Sequence, residues 1–244
     1  MKLINRTATA EDLAQSMMML VEIEEEIDTP LNPGVVARSF ANQQLHVLRD
    51  SSKLLGFCVD SDLGIDLVAV DHKNWGQGFG RELVRHSIAR ARDRGLSVLE
   101  VDCISSASLA FADCLGFTIR PNRMGLGGGR LAYMELSNQL DLPAGNEVSF
   151  KIDFCPPERD FDQTVGPFRT LEGKGVRLGG NSLHIPARAV CYHPDILLLH
   201  DCVVVVHVDG QLIFEDKVKR EEAKKLGVVR DLGGHFFIER INLT

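Results

Sequence analysis

The chain has 244 residues, enough for one large domain or two small ones. Hydrophobic residues make up 44% and charged residues 25%, the balance of an ordinary globular protein. No run of about 18 apolar residues is present, which excludes a membrane-spanning helix, and a net charge of −7 argues against nucleic acid as a partner for the whole molecule. The first six residues lack the apolar stretch of a secretory signal. Six cysteines (Cys58, Cys103, Cys114, Cys155, Cys191, Cys202) form no Cys-x-x-Cys pair and sit within apolar runs. They read as free thiols in a reducing compartment, so a cytoplasmic location is expected.

Residues 3–6 read as a short strand. Thr9 stands three residues before Asp12, a helix-opening pattern, and the helix runs to about Ile27. Leu13, Met17, Leu20, Val21, Glu24 and Ile27 lie along one flank. Pro30 and Pro33 break it, and a second short helix follows over about residues 34–42. The acidic run Glu22, Glu24, Glu25, Glu26 and Asp28 reads first as a solvated face, and alternatively as an attraction for a cationic acceptor. Strands are predicted at Leu45–Arg49 and Leu54–Asp60. A tight turn at Asp62-Leu63-Gly64 leads to an apolar strand at residues 67–70.

Three glycines then stand at alternate positions, Gly76, Gly78 and Gly80. Residues 81–91 carry Leu83, Val84, Ser87, Ile88 and Ala91 at helical spacing. Strand, glycine-rich turn, helix is an arrangement that offers an anion the unpaired N–H groups and positive dipole end of a first helical turn. Glycine lets backbone approach a phosphate without a Cβ in the way. The chemistry implied is binding of a phosphorylated cofactor; the alternative is an ordinary strand-to-helix turn. Gly80-Arg81-Glu82 is not the Gly-Lys-Ser/Thr of a Walker loop. Nor is Gly-x-Gly-x-Gly the Gly-x-Gly-x-x-Gly of a dinucleotide fold.

The stretch Trp75-Gly76-Gln77-Gly78-Phe79-Gly80 resembles the acyl-CoA pyrophosphate loop of the GNAT acetyltransferases, written Arg/Gln-x-x-Gly-x-Gly/Ala, with Trp75 at the Arg/Gln position. Residues 97–103 read as the next strand, and Leu99-Glu100-Val101 looks like the Leu-Glu-Val strand of the family's N-terminal-amine branch. Residues 105–117 are similar to the family's Asn-x-x-Ala-x-x-x-Tyr-x-x-x-Gly-Phe segment. Gly116-Phe117 matches it, while Ser105 stands for the Asn and Ala112 for the Tyr. The resemblance covers about residues 3–136. It implies a mixed, twisted α/β sheet flanked by helices, with acetyl-CoA as donor and an amine, on a protein or a small molecule, as acceptor. By that resemblance Val68, Ala69 and Val70 would meet the pantetheine arm. Gly76, Gln77, Gly78, Phe79, Gly80 and Arg81 would hold the pyrophosphate, and Ser105 would also touch CoA. Glu100 would be the general base, directly or through water; its alternative is a strand carboxylate turned to solvent or to a structural Arg. The Tyr position serves protonation of the leaving thiolate, the least demanding step for a group of pKa about 8.5. The two early helices would cover the acceptor, with residues 28–32 beside it.

Residues 125–129 are expected to be a hairpin tip before a closing strand at 130–136. A linker composition then sets the expected boundaries: a first domain over 1–140, a linker over 141–147 and a β-rich accessory domain over 148–244. In the accessory domain strands are predicted at 148–154, 196–199, 202–208, 212–216 and 235–243. The glycine-bearing stretch 166–180 reads as turns, and Val208-Asp209-Gly210-Gln211 as a hairpin turn. Residues 221–226 are expected to form a short helix stopped by Gly227. The domain's charges are nearly balanced, with no footprint for nucleic acid. His184, Cys191, His193, His200, Cys202 and His207 are zinc-ligand types without finger spacing, and core cysteines with surface histidines explain them as well; no metal is expected. The resulting expectation is an acetyl-CoA-dependent N-acetyltransferase whose second domain selects the acceptor or mediates dimerisation. The alternative is a non-catalytic GNAT-fold module that binds CoA or a protein partner.

Overall fold

The computed structural model describes residues 3–27, 32–62, 64–124, 129–136, 139–179, 181–196 and 198–243. The proposed acceptor loop at 28–31, Leu63 of the tight turn and residues 125–128 of the hairpin tip lie outside them. The chain divides into two compact units, residues 1–94 with 98–134, and residues 95–97 with 135–244.

The first unit is mixed α/β, as expected. Strand β1 (Ile4–Thr7) is followed by helices α1 (Ala10–Ile27) and α2 (Pro33–Ala41), then by strands β2 (Leu45–Arg49), β3 (Leu54–Asp60) and β4 (Gly64–Val70). Helix α3 (Phe79–Asp93), strand β5 (Val98–Cys103), helix α4 (Ser106–Cys114) and strands β6 (Thr118–Met124) and β7 (Arg130–Glu135) complete it. The sheet order is β1-β2-β3-β4-β5-β7-β6. Neighbours from β1 to β4 pair antiparallel, whereas β4 and β5 run parallel with α3 between them in sequence.

Local chemistry explains the helix starts. Asp12 accepts from the Thr9 N–H and hydroxyl at 2.8 Å, and the Thr9 hydroxyl accepts from the Asp12 N–H, a reciprocal cap. Asp12 is fully buried yet ionised, because Arg6 and Arg49 converge on it. Burial opposes that charge, but the hydrogen bonds from Thr9, Arg49 and Arg6 outweigh it and hold the carboxyl below its usual range. In α2, Asn32 caps the first turn through the Gly34 N–H and Pro33 takes the N1 place, where it loses no helical bond. Met19, Leu20 and Ile23 of α1 and Val36 of α2 bury one sheet face with Leu45, Val47, Phe57, Val59 and Ala69. Burying such side chains contributes about 1.5–3 kcal/mol each.

The other face carries α3, which packs on β2, β3 and β4. A buried polar cluster fastens it. Asp60 at the end of β3 accepts from the Ser87 hydroxyl at 2.7 Å and from Arg90 at 2.9 Å, both on α3. His46 of β2 lies beside the same carboxylate, and neither ring nitrogen is hydrogen-bonded among the described residues. Its pKa is pushed down to about 4, chiefly by burial, with the Arg90 charge adding and the Asp60 charge opposing. The ring is therefore neutral at pH 7.

The second unit is β-rich, as expected, and its described strand pairs are all antiparallel. Its strands are β8 (Asn146–Cys155), β9 (Arg169–Leu178), β10 (Ser182–Cys191), β11 (Val203–Val208), β12 (Gln211–Lys217), β13 (Val228–Arg230) and β14 (Phe236–Asn242). The sheet order is β12-β11-β8-β9-β10-β14-β13. Helix α5 (Glu221–Leu226) adds Ala223 and Leu226 to a core led by Phe150, Ile152, Phe154, Leu183, Val204, Val206 and Ile238. The hairpin at Asp209 and Gly210 forms with both residues left-handed, φ 49° and 77°, the geometry that matches strand twist.

Several expectations for this unit are corrected. Residues 169–178 are strand β9, not turns. Gly175 stands there because a Cβ would lie 2.5 Å from the His184 carbonyl and 2.8 Å from Leu183. Glycine in this strand marks a close backbone approach rather than a chain reversal. Of residues 196–199 none described is in a strand; Leu199–Asp201 is a single 3-10 turn. Strand β10 has no clear signature in the sequence because Pro186 interrupts it, and its pairing with β14 shifts between His184 and Ala189. Asn146 and Glu147, linker by composition, already pair with Arg177 and Val176.

A pH dependence follows from His46. Its folded pKa lies below the unfolded value of about 6.5, so the unfolded chain takes up a proton that the folded chain refuses. Stability should fall as pH drops from about 6.5 to about 4. His46→Gln should flatten that limb in urea unfolding at pH 7, 5.5 and 4.5; slopes identical to those of the unaltered chain would exclude His46 as its origin.

Candidate cofactor-binding site

The site lies where β4 leaves β5 and turns into α3. Among the described residues the parallel ladder holds two pairs, Gly64 with Glu100 and Ile65 with Val101. Pairing stops there, although β4 continues to Val70 and β5 to Cys103. Gly64 is required at the start, since a Cβ would sit 2.0 Å from the Glu100 carbonyl. The Asp71 N–H bonds to the Leu55 carbonyl of β3. By the two-residue alternation of a strand, Ala69 also turns its backbone groups toward β3, and Val68 and Val70 turn theirs toward the unpaired side. Val68 and Val70 are thus placed for an extended ligand. Ala69 is not: its side chain is in the core and its backbone faces the β3 ladder.

The turn is built by local hydrogen bonds. Asp71 accepts from the Lys73 N–H at 3.0 Å and the Asn74 side chain at 2.8 Å, shaping one 3-10 turn. Trp75 then folds back, and its indole Nε1–H donates to the Val70 carbonyl at 2.8 Å. Gly76 and Gly78 are left-handed, φ 76° and 86°, and a Cβ added at either would meet no atom within 4 Å. A side chain there costs about 1–2 kcal/mol in backbone strain, not in crowding. Gly78 is the N-cap of α3 and supplies no side-chain cap. Among the described residues none accepts a hydrogen bond from the N–H groups of Gly76, Gln77, Gly78, Phe79, Gly80 or Arg81. Six donors in succession therefore have no protein acceptor among the described residues, next to the positive end of α3.

Gly80 has a different task. A Cβ there would lie 3.2 Å from the Phe111 ring of α4 and 3.7 Å from Val70. The missing side chain lets the first turn of α3 settle between β4 and α4. Phe79 is buried beneath it, and Arg81 is exposed.

Ser105 is exposed and caps α4, accepting from the Ser108 N–H at 3.1 Å in a capping box. Ala112 is buried. Glu100 accepts from Arg120 at 2.6 Å, and that guanidinium is 1% exposed. The carboxylate thus neutralises a buried cation, the structural alternative expected for it. Arg120 also lies 5.4 Å from the centre of the Tyr133 ring. Asp66, which sequence reasoning misses, follows the last β4–β5 pair and reaches the surface. Partial burial raises its carboxyl above the usual range, a Ser61 hydrogen bond opposes this, and the Asp60 charge adds to it. Its one signal in the sequence is an acid opening the strand that leads to the glycines.

The histidines and cysteines of the second unit do not gather. Cys191 and Cys202 are fully buried, and the Cys191 thiol is pushed far up by its hydrogen bond with Cys202 and by burial. His193 packs edge-on to Phe168, and His200 sits beside Asp201. Among the described residues no group of three His, Cys, Asp or Glu is arranged to hold a metal ion.

Residues 16–117 match the model of the acetyltransferase (GNAT) family. No curated protein sequence matches the chain. Similar solved structures include an acetyltransferase from Staphylococcus aureus, 19% identical, over 55% of this chain and 99% of that one, TM-score 0.45. An acetyltransferase from Salmonella typhimurium, solved with its cofactor acetyl-CoA, is 17% identical over 60% of this chain and 100% of that one, TM-score 0.45. The ribosomal-protein-S18-alanine N-acetyltransferase from Escherichia coli is 22% identical over 59% and 99%, TM-score 0.43.

The two kinds of glycine should separate on substitution. Gly80→Val should destabilise by about 2–3 kcal/mol through overpacking against Phe111, and Phe111→Ala in the same chain should recover part of it. Gly78→Ala should cost about 1 kcal/mol from backbone strain, with no recovery from Phe111→Ala. Denaturant midpoints measure both; equal coupling to Phe111 would refute the distinction.

Proposed function

We propose that the GNAT-family domain at residues 16–117 is an N-acetyltransferase that moves an acetyl group from acetyl-CoA to an amine. The observation that carries this is the run of six N–H groups at residues 76–81 that meet no acceptor among the described residues. It lies at the end of a strand whose next edge is unpaired. Main-chain donors fixed in place suit a diphosphate, because they stabilise charge without having to reorganise. In this reading Val68 and the N–H of Val70, whose carbonyl is taken by Trp75, hold the acyl arm through backbone groups, and Arg81 adds a cation near the phosphates. Ser105 shapes α4 beside the arm.

Acetyl-CoA supplies an activated thioester. The amine nitrogen bonds to its carbonyl carbon, the carbon–sulfur bond breaks, and the sulfur leaves as a thiolate that takes up a proton. The protein's part is to align the two reactants, which removes much of the entropic barrier, and to accept the amine's proton. Glu100 is the base carried by the family resemblance. Its pairing with Arg120 competes with that role, and Asp66 is the second carboxylate at the divergence of the strands, with a raised pKa that suits a base better. In this reading the β-rich second unit is an accessory domain that selects the acceptor or joins two copies.

The second reading, a module that binds CoA without turnover, is favoured by Ala112 at the position of the thiolate's proton donor and by the engagement of Glu100. Calorimetry with CoA and a thiol-release assay with acetyl-CoA and a panel of amines separate the two. The expected result is CoA binding, lost in Gly78→Asp, with amine-dependent release of thiol. Asp66→Asn and Glu100→Gln should both spare binding, and the variant at the true base should lose about 10²–10⁴-fold in turnover. Binding with no release for any amine establishes the non-catalytic module; absence of binding removes both readings.

A further inference from the structure

We propose that Trp75 is a stacking platform for the purine base of the donor, a contact made by this chain's departure from Arg or Gln at that position. The inference rests on residues 76–81 holding the diphosphate.

Trp75 is the sole tryptophan of the chain and is 52% exposed. A large aromatic side chain left in water forfeits its burial energy. Yet this one is not loose. Its Nε1–H is fixed on the Val70 carbonyl at 2.8 Å, so the ring edge points to β4 and the ring orientation is set. Among the described residues no aromatic ring or cation packs against its face. An anchored ring with an open face is preorganised to accept a flat partner at small entropic cost.

Its place in the turn selects the partner. The Gly76 N–H, first of the six donors, belongs to the next residue. A CoA molecule extends two ways from its diphosphate. The acyl arm must follow β4 along Val68 and Val70 to reach the strand divergence. The nucleoside must then leave over the solvent side of the turn, where Trp75, Gly76, Gln77 and Gly78 are all exposed. Gly76 and Gly78 project nothing into that space. Every base has a π-face, and stacking on an aromatic ring holds a base without reading its hydrogen-bonding edge. Arginine or glutamine offers no such indole surface.

Because the chain has one tryptophan, its emission reports directly on this face. Emission and calorimetric heat should be followed together during titration with CoA, with adenosine 3′,5′-bisphosphate and with phosphopantetheine, which has a phosphate but no base. The expected result is quenching by the first two and not by the third. Trp75→Ala should weaken CoA about tenfold to a hundredfold and leave phosphopantetheine unchanged. Trp75→Phe, which keeps a ring but loses the anchoring indole N–H, should bind CoA more weakly than the unaltered chain and more tightly than Trp75→Ala. Heat of CoA binding with unaltered emission and an unaffected Trp75→Ala would overturn stacking while leaving the transferase reading intact. Quenching by phosphopantetheine equal to that by CoA would overturn it too, since the ring would then be sensing the arm or the loop. No heat with any ligand would overturn the diphosphate site itself, and the stacking contact with it.

Discussion

The ring of Phe111 and the missing side chain of Gly80 meet at the point where the first unit's α3 begins. With only 3.2 Å between the ring and an added Cβ, a larger residue 80 would have to push the Phe111 ring aside for that helix start to keep its approach to β4 and α4. The approach adds to the Asp60 contacts with Ser87 and Arg90 that hold α3 on the sheet just after residues 76–81. Gly76 and Gly78 then need only turn the backbone, and they do so in open space. One glycine therefore serves packing and two serve conformation. All three lie in one motif that looks uniform when written as letters.

The charged groups of the first unit divide by how water is replaced around them. Asp12 and Asp60 are nearly inaccessible and remain compatible with the fold because several donors converge on each. Their task is to hold a helix against the sheet, and a lone buried carboxylate would be strongly destabilising. Glu100 belongs partly to the same class, since it is the counter-charge of a buried Arg120. Asp66 differs: it reaches solvent and is desolvated only in part. It stands one residue beyond the last described β4–β5 pair, and partial burial raises its carboxyl above the usual range.

The second unit shows the opposite economy. Its core is assembled from alternating apolar residues of long antiparallel strands, with polar residues such as Ser149, Lys151 and Lys174 alternating with the apolar ones along the same strands. The paired thiols Cys191 and Cys202 are core residues in that setting. Burial raises a thiol's pKa and lowers its reactivity, so proximity of sulfur alone does not make a site.

Much of the first unit is legible in the letters. Helical and strand periodicity, the Thr9–Asp12 cap and the turn glycines depend on neighbours within a few residues, and each forms where local chemistry predicts it. The hairpin at Asp209-Gly210 and the stop at Gly227 are legible for the same reason. Strand β9 is not, because Gly173 and Gly175 carry a turn composition that only the nearness of His184 and Leu183 to Gly175 converts into a close strand contact. Strand β10 is not, because a proline breaks its local signal while distant partners keep its pairing.

The sequence by itself determined most elements of the first unit, the strand, glycine turn and helix at residues 67–91 and the β-rich character of the second part, since these follow from short-range spacing and composition. Only the tertiary structure decided that Ala69 is withdrawn into a ladder, that Glu100 is tied to Arg120, that Asp66 stands at the divergence and that the half-exposed Trp75 is pinned to the Val70 carbonyl. Those facts depend on which residues distant in the chain share a few ångströms of space, and no local pattern encodes that distance.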